Sequence, residues 1–146
     1  KLLSLKNKIK MGVIKPTLTL TSNARTATTD AGPLSVALSL SATDSITVSK
    51  VGEAGTAAVT TSAIQIFDCG TTGEVYVYLN NISDSTVYVG KAAATADTDS
   101  NRFMALRAGE FAWFPWWAGS TGTDTDLYLD HSSSGTKNVE YWIFEV

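Results

Sequence analysis

One cysteine, one histidine and three prolines are all that 146 residues hold of the side chains that staple, chelate or kink a small protein. With Cys69 alone, an intramolecular disulfide and a multi-cysteine metal site are both excluded. The chain suits a reducing compartment and must rely on an apolar core. Its length allows one, because a domain of this size buries roughly 70% of the surface its unfolded form exposes. A lone His131 excludes acid/base or metal chemistry built on two imidazoles. No apolar run approaches the roughly 20 residues that cross a bilayer, and lysines interrupt the segment Lys1–Lys10 too often for a signal-peptide core. The expectation is a soluble chain without a membrane partner or a secretion address.

Acidic residues are missing from the start. Lys1, Lys6, Lys8, Lys10, Lys15 and Arg25 precede Asp30, so a formal net charge of −3 divides into a basic arm and an acidic body. Residues 1–12 read as the arm, extended or, from the spacing of Leu2, Leu5 and Ile9, wound into about two helical turns. Residues 13–146 read as one domain. The arm has few charges and no aromatic ring for a base to stack on, which argues against nucleic acid. An acidic neighbouring subunit is the better partner for Lys6, Lys8 and Lys10.

No segment of helical length other than the arm carries a helical period, while serine and threonine make up about a quarter of the chain, a strand-rich composition. Polar and apolar residues alternate over Pro16–Thr21, Ser35–Leu40 and Ser45–Ser49, the period of a half-buried strand. Val59 and Ile64–Phe67 add one or two more. Val75–Leu79 and Thr86–Val89 flank the polar stretch Asn80–Ser85 and read as a hairpin, with Val75, Val77 and Leu79 on one face and Tyr76 and Tyr78 on the other. Phe103–Leu106, Phe111–Trp117, Leu127–Leu129 and Val139–Val146 follow. About ten short strands at roughly 10-residue spacing predict an all-β fold, an antiparallel β-sandwich of jelly-roll type.

The candidate reactive groups are weak. Asp130-His131-Ser132 are consecutive, so their side chains diverge where a catalytic triad must converge, and a solvated loop is the simpler reading. Cys69 has no cationic sequence neighbour to lower its pKa. Asp97, Asp99 and Asn101 open like a calcium loop, but Arg102 stands where glycine is needed and Ala108 where glutamate is needed. Asn81-Ile82-Ser83 is a glycosylation triplet without a secretion route. No cofactor and no enzymatic activity are expected.

The run Phe111-Ala112-Trp113-Phe114-Pro115-Trp116-Trp117 is the most informative segment. On a strand, Phe111, Trp113 and Trp117 face one way and Phe114 the other, with Trp116 on Phe114's side unless Pro115 distorts the ladder. Apolar bulk on both faces exceeds what one core buries, so the second face calls for another subunit, an extra element or a ligand. Trp113, Trp116 and Trp117 are therefore interface candidates, or Trp116 or Trp117 is a platform for a sugar ring, while a plain core is the reading for at least half of the side chains in this run.

The segments Met11–Asn23, Gly32–Leu40, Leu106–Pro115 and Glu140–Phe144 together resemble small virion structural proteins of tailed phages infecting marine cyanobacteria. The resemblance spans most of the chain from Met11 onward and marks no active site; Lys1–Lys10 fall outside it. It implies a protein made in the host cytoplasm and located on the virion, favouring the capsid exterior. There it would be a capsid decoration or cement protein, homo-oligomeric and favouring a trimer, bound to the major capsid protein or other virion proteins. A neck, tail or fibre module binding a host-surface glycan is the alternative.

Overall fold

The computed structural model describes residues 12–21, 37–41, 46–68, 74–91, 101–117 and 126–146. Residues 1–11 of the expected arm, with Lys6, Lys8 and Lys10 and the helical turns expected there, lie outside them, as do Cys69 and the Asp97–Asp99 segment. The chain divides into two compact units, Lys1–Thr47 and Val48–Val146. Every described element is a strand, and every pairing with a resolved register is antiparallel.

In the first unit, β2 (Thr17–Thr21) falls on the alternating stretch Pro16–Thr21, and a further short strand, β1 (Gly12–Ile14), precedes it across Lys15-Pro16. β2 pairs with β3 (Ala37–Ser41) in a register that sets Leu18 against Leu40 and Leu20 against Leu38. A short β4 (Ile46–Val48) pairs with β1.

The second unit holds β5 (Lys50–Val59), β6 (Ile64–Phe67), β7 (Glu74–Asn81), β8 (Val87–Lys91), β9 (Arg102–Leu106), β10 (Phe111–Trp117), β11 (Leu127–Asp130) and β12 (Lys137–Glu145). They form two four-stranded sheets, ordered β10-β7-β12-β5 and β6-β11-β8-β9. Period-two alternation places the core. Val75, Val77 and Leu79 of β7 and Val139 and Ile143 of β12 join Val87 and Val89 of β8 and Leu127 and Leu129 of β11 in one cluster fully closed to solvent. At about 1.5–3 kcal/mol for each fully buried aliphatic side chain, this cluster is the main source of stability.

The expected β7–β8 hairpin does not form. β7 lies between β10 and β12, and β8 lies between β11 and β9, so the polar stretch carries the chain from one sheet to the other. Both strands have an aliphatic face, and they bury it by standing in different sheets that share one core. Asn81 makes the corner. Buried completely, it donates from Nδ2 to the Ser85, Leu106 and Arg107 carbonyls at 2.8, 2.9 and 3.0 Å, and its Oδ1 accepts from the Ser83 amide and hydroxyl. The glycosylation triplet is thus a structural corner. Its partners at Leu106 and Arg107 begin the turn from β9 into β10, where Gly109 adopts a φ of +76° that disfavours any side chain.

Candidate functional site

β10 is an edge strand, and its register with β7 runs without a shift from Phe111↔Asn80 to Trp117↔Glu74. Pro115 does not distort it, as an edge position tolerates a residue lacking an N–H. Strict alternation follows. Ala112, Phe114 and Trp116 pack against the core, whereas Phe111, Trp113, Pro115 and Trp117 take the opposite face. The three tryptophans are therefore divided: Trp116 stacks on Phe103 at 5.1 Å on the core side, while Trp113 and Trp117 turn outward. Trp116 does not present the exposed platform considered for it; Trp117, 70% exposed, does.

Registers across β10, β7, β12 and β5 set the outer face out in rows. Phe111, Asn80, Glu140 and Thr56 form one; Trp113, Tyr78, Trp142 and Ala54 the next; Pro115, Tyr76, Phe144 and Val51 the third. Rings touch along this face: Tyr76 and Trp113 stack at 5.6 Å, Trp113 lies 5.6 Å from Phe144, and Phe144 and Trp142 stack at 6.1 Å. Phe111, Trp117, Trp142 and Val51 remain exposed. At one end Asn80 Nδ2 donates to Glu140 Oε2 at 2.9 Å, leaving a polar pair beside the rings. Sequence reasoning found the β10 part of this surface but missed Trp142 and Phe144. Their alternation with Tyr141 and Ile143 in Tyr141-Trp142-Ile143-Phe144 is the signal that marks them.

The outer face of the other sheet is occupied by its own polar groups. Arg102 lies 3.8 Å from the centre of the Tyr88 ring, and its Nη2 donates to Asp130 Oδ2 at 2.7 Å. Asp130 is buried and the Arg102 side chain is 10% exposed, and Arg102 Nε and Asp130 Oδ1 have no further partner, so the ion pair uses one leg of a possible two. Gln65 Nε2 donates to Asp126 Oδ2 at 3.0 Å. Burial first, and then the Asp126 and Asp68 carboxylates, push the Tyr128 phenol above its ordinary pKa.

His131 is a correction to the solvated-loop expectation, for the ring is buried. The Ser133 amide donates to Nδ1 at 3.1 Å, which leaves Nε2 carrying the proton that faces the Val59 carbonyl at 3.1 Å. Asp130 turns to Arg102, so the two side chains diverge, and the imidazole serves as a tie between the residues after β11 and the end of β5. No family model, curated protein or solved structure matches the chain.

Proposed function

We propose that the chain is a non-enzymatic virion structural protein, a capsid decoration or cement protein that oligomerises and seals contacts between capsid subunits. The sheet orders β10-β7-β12-β5 and β6-β11-β8-β9 support a jelly roll, an arrangement of eight strands common to capsid and lectin domains. Fold alone does not assign a role. The observation that carries the reading is the ring surface of Tyr76, Trp113, Phe144 and Trp142, flanked by exposed Phe111 and Trp117 on a sheet whose other face already supplies the core. Such a surface marks a contact site, and desolvated tryptophans are the usual anchors of one. Docked on the major capsid protein, it adds buried area across lattice joints, and the shell then opens only by breaking those contacts too. The basic arm, with Lys6, Lys8 and Lys10, reaches an adjacent acidic subunit in this scheme.

Particle occupancy tests the reading. Trp117→Ala combined with Trp142→Ala should leave the isolated protein folded and strip it from purified particles; full occupancy by that variant overturns the assignment. Deleting residues 1–10 should lower occupancy as well.

The pair Asn80–Glu140 beside Phe111, Trp113 and Trp142 favours a second reading, a tail or fibre module for a host-surface glycan. An amide and a carboxylate next to aromatic rings can bond sugar hydroxyls while the rings stack on C–H groups. In that case Trp117→Ala abolishes binding on a glycan array, and removal of residues 1–10 leaves it intact.

A further inference from the structure

We propose that the edge of β5 left unpaired by the described strands pairs antiparallel with β5 of a second copy of this chain, with Gly55 on the two-fold axis. Two four-stranded sheets then become one of eight. The inference is independent of whether the protein belongs to a virion.

β5 ends the order β10-β7-β12-β5 and is ten residues long. Its register with β12 occupies one side, and among the described residues no backbone bond reaches the other. Val51–Thr56 are all exposed. A row of unpaired amides and carbonyls on a long strand is a template for another strand unless lysine, proline or a bulge blocks it. The opposite edge of the same sheet, β10, is guarded by Pro115 and bulky rings. From Glu53 to Val59, β5 has neither proline nor lysine, and its one register shift falls before that stretch.

The side chains single out a second copy as the occupant. With Gly55 on the axis, Ala54 faces Thr56 of the partner and Glu53 faces Ala57, so small residues oppose small ones and no like charges meet. An axis at Glu53 would set two carboxylates against each other. The outward rows Trp142–Ala54 and Glu140–Thr56 end at this edge, so the aromatic faces of both copies continue on one side of the joined sheet. A strand ladder alone buries well under about 1,000 Å², which makes the dimer weak and dependent on concentration. It is a two-fold contact, distinct from the threefold assembly that the resemblance implies.

Sedimentation of the full chain over a concentration series tests this. The unaltered protein should show a monomer–dimer equilibrium, with amide-exchange protection of residues 53–57 growing as the dimer fills. Ala54→Lys with Thr56→Lys opposes like charges twice across the axis and should weaken association about tenfold. Ala54→Glu with Thr56→Lys opposes unlike charges twice, keeps the same lysine opposite Glu140 as the double-lysine variant, and should restore association in a salt-sensitive manner. Both positions are exposed and face outward, so circular dichroism and melting temperature should be unchanged. A protein that stays monomeric to about 1 mM, a dimer indifferent to the double lysine, or a lysine/glutamate variant no better than the double lysine each overturns the proposal. So does exchange protection that does not change with concentration, and that measurement requires no substitution.

Discussion

Arg102 lies over Tyr88 and reaches Asp130 on one sheet, whereas Trp142 stacks beside Phe144 in partial contact with water on the other. Behind these faces the two sheets are alike, since each sends valine and leucine or isoleucine into one shared cluster. The outer face of β6-β11-β8-β9 pairs Arg102 with Asp130 and Gln65 with Asp126, while that of β10-β7-β12 leaves large rings that no described element covers. Core residues make the fold; in the proposed assembly, the exposed rings of one outer face would direct the partner to that sheet.

The comparison breaks most visibly at the ion pair. Arg102→Met leaves the buried Asp130 carboxylate uncompensated and should cost about 3–5 kcal/mol in urea unfolding. Because the pair is one-legged, adding Asp130→Leu should return stability to within about 1 kcal/mol of the parent, or exceed it. A harmless Arg102→Met would mean that this face is not closed by its own charges. Next is Asn81→Ala at the corner between the sheets, which removes the donor to three carbonyls and leaves the half-buried Ser83 and Ser85 turn without its anchor. We expect a loss of about 2–4 kcal/mol in the same measurement.

Neighbouring tryptophans sharpen the contrast between inside and outside. Trp116→Ala opens space against Phe114 and Phe103 and should cost about 2 kcal/mol, below the range for a fully buried ring because the side chain is only half-buried. Trp117→Ala should change stability by less than about 0.5 kcal/mol and act on association alone. If the two melt alike, the face assignment along β10 is wrong.

How far the chain could be read in advance differs by element. Period-two alternation in Glu74–Leu79 and Phe111–Trp117 gave each strand and its faces, because one side must enter a core and the other must not. Pairing partners were less legible. Val75–Leu79 and Thr86–Val89 look like a hairpin locally, and only the long-range bonds of Asn81 to Leu106 and Arg107 show that the connection crosses between sheets. β5 was visible only at Val59. Lys50–Ala58 is rich in glycine and alanine, which have low strand propensity, and it is held as a strand by pairing along nearly the whole of β12. His131 looked like a loop residue because nothing local announces the Val59 carbonyl, 72 positions away, that it faces. For the candidate site, β10 was readable from its tryptophans, and the β12 half was hidden in a run where every residue is large.

Glu53 offers the smallest effect. It stands opposite Ile143 on the core-facing side of β5, where the neighbouring β12 contributes Val139, Tyr141 and Ile143. Partial burial first, and then the nearby Asp68 carboxylate, raise its pKa above the ordinary glutamate value. A folded state that holds a proton more tightly than the unfolded chain loses stability as pH rises from the unfolded value through the folded one, and the loss persists at higher pH. Glu53→Gln removes the charge but keeps the shape. It should therefore raise the melting temperature slightly at pH 7 and leave it unchanged near pH 3.5, where the parent carboxyl is protonated in both states. An equal gain at both pH values would trace the effect to packing rather than charge. No gain at neutral pH would mean that the core-facing side of this sheet edge accommodates an ionised group as readily as water does.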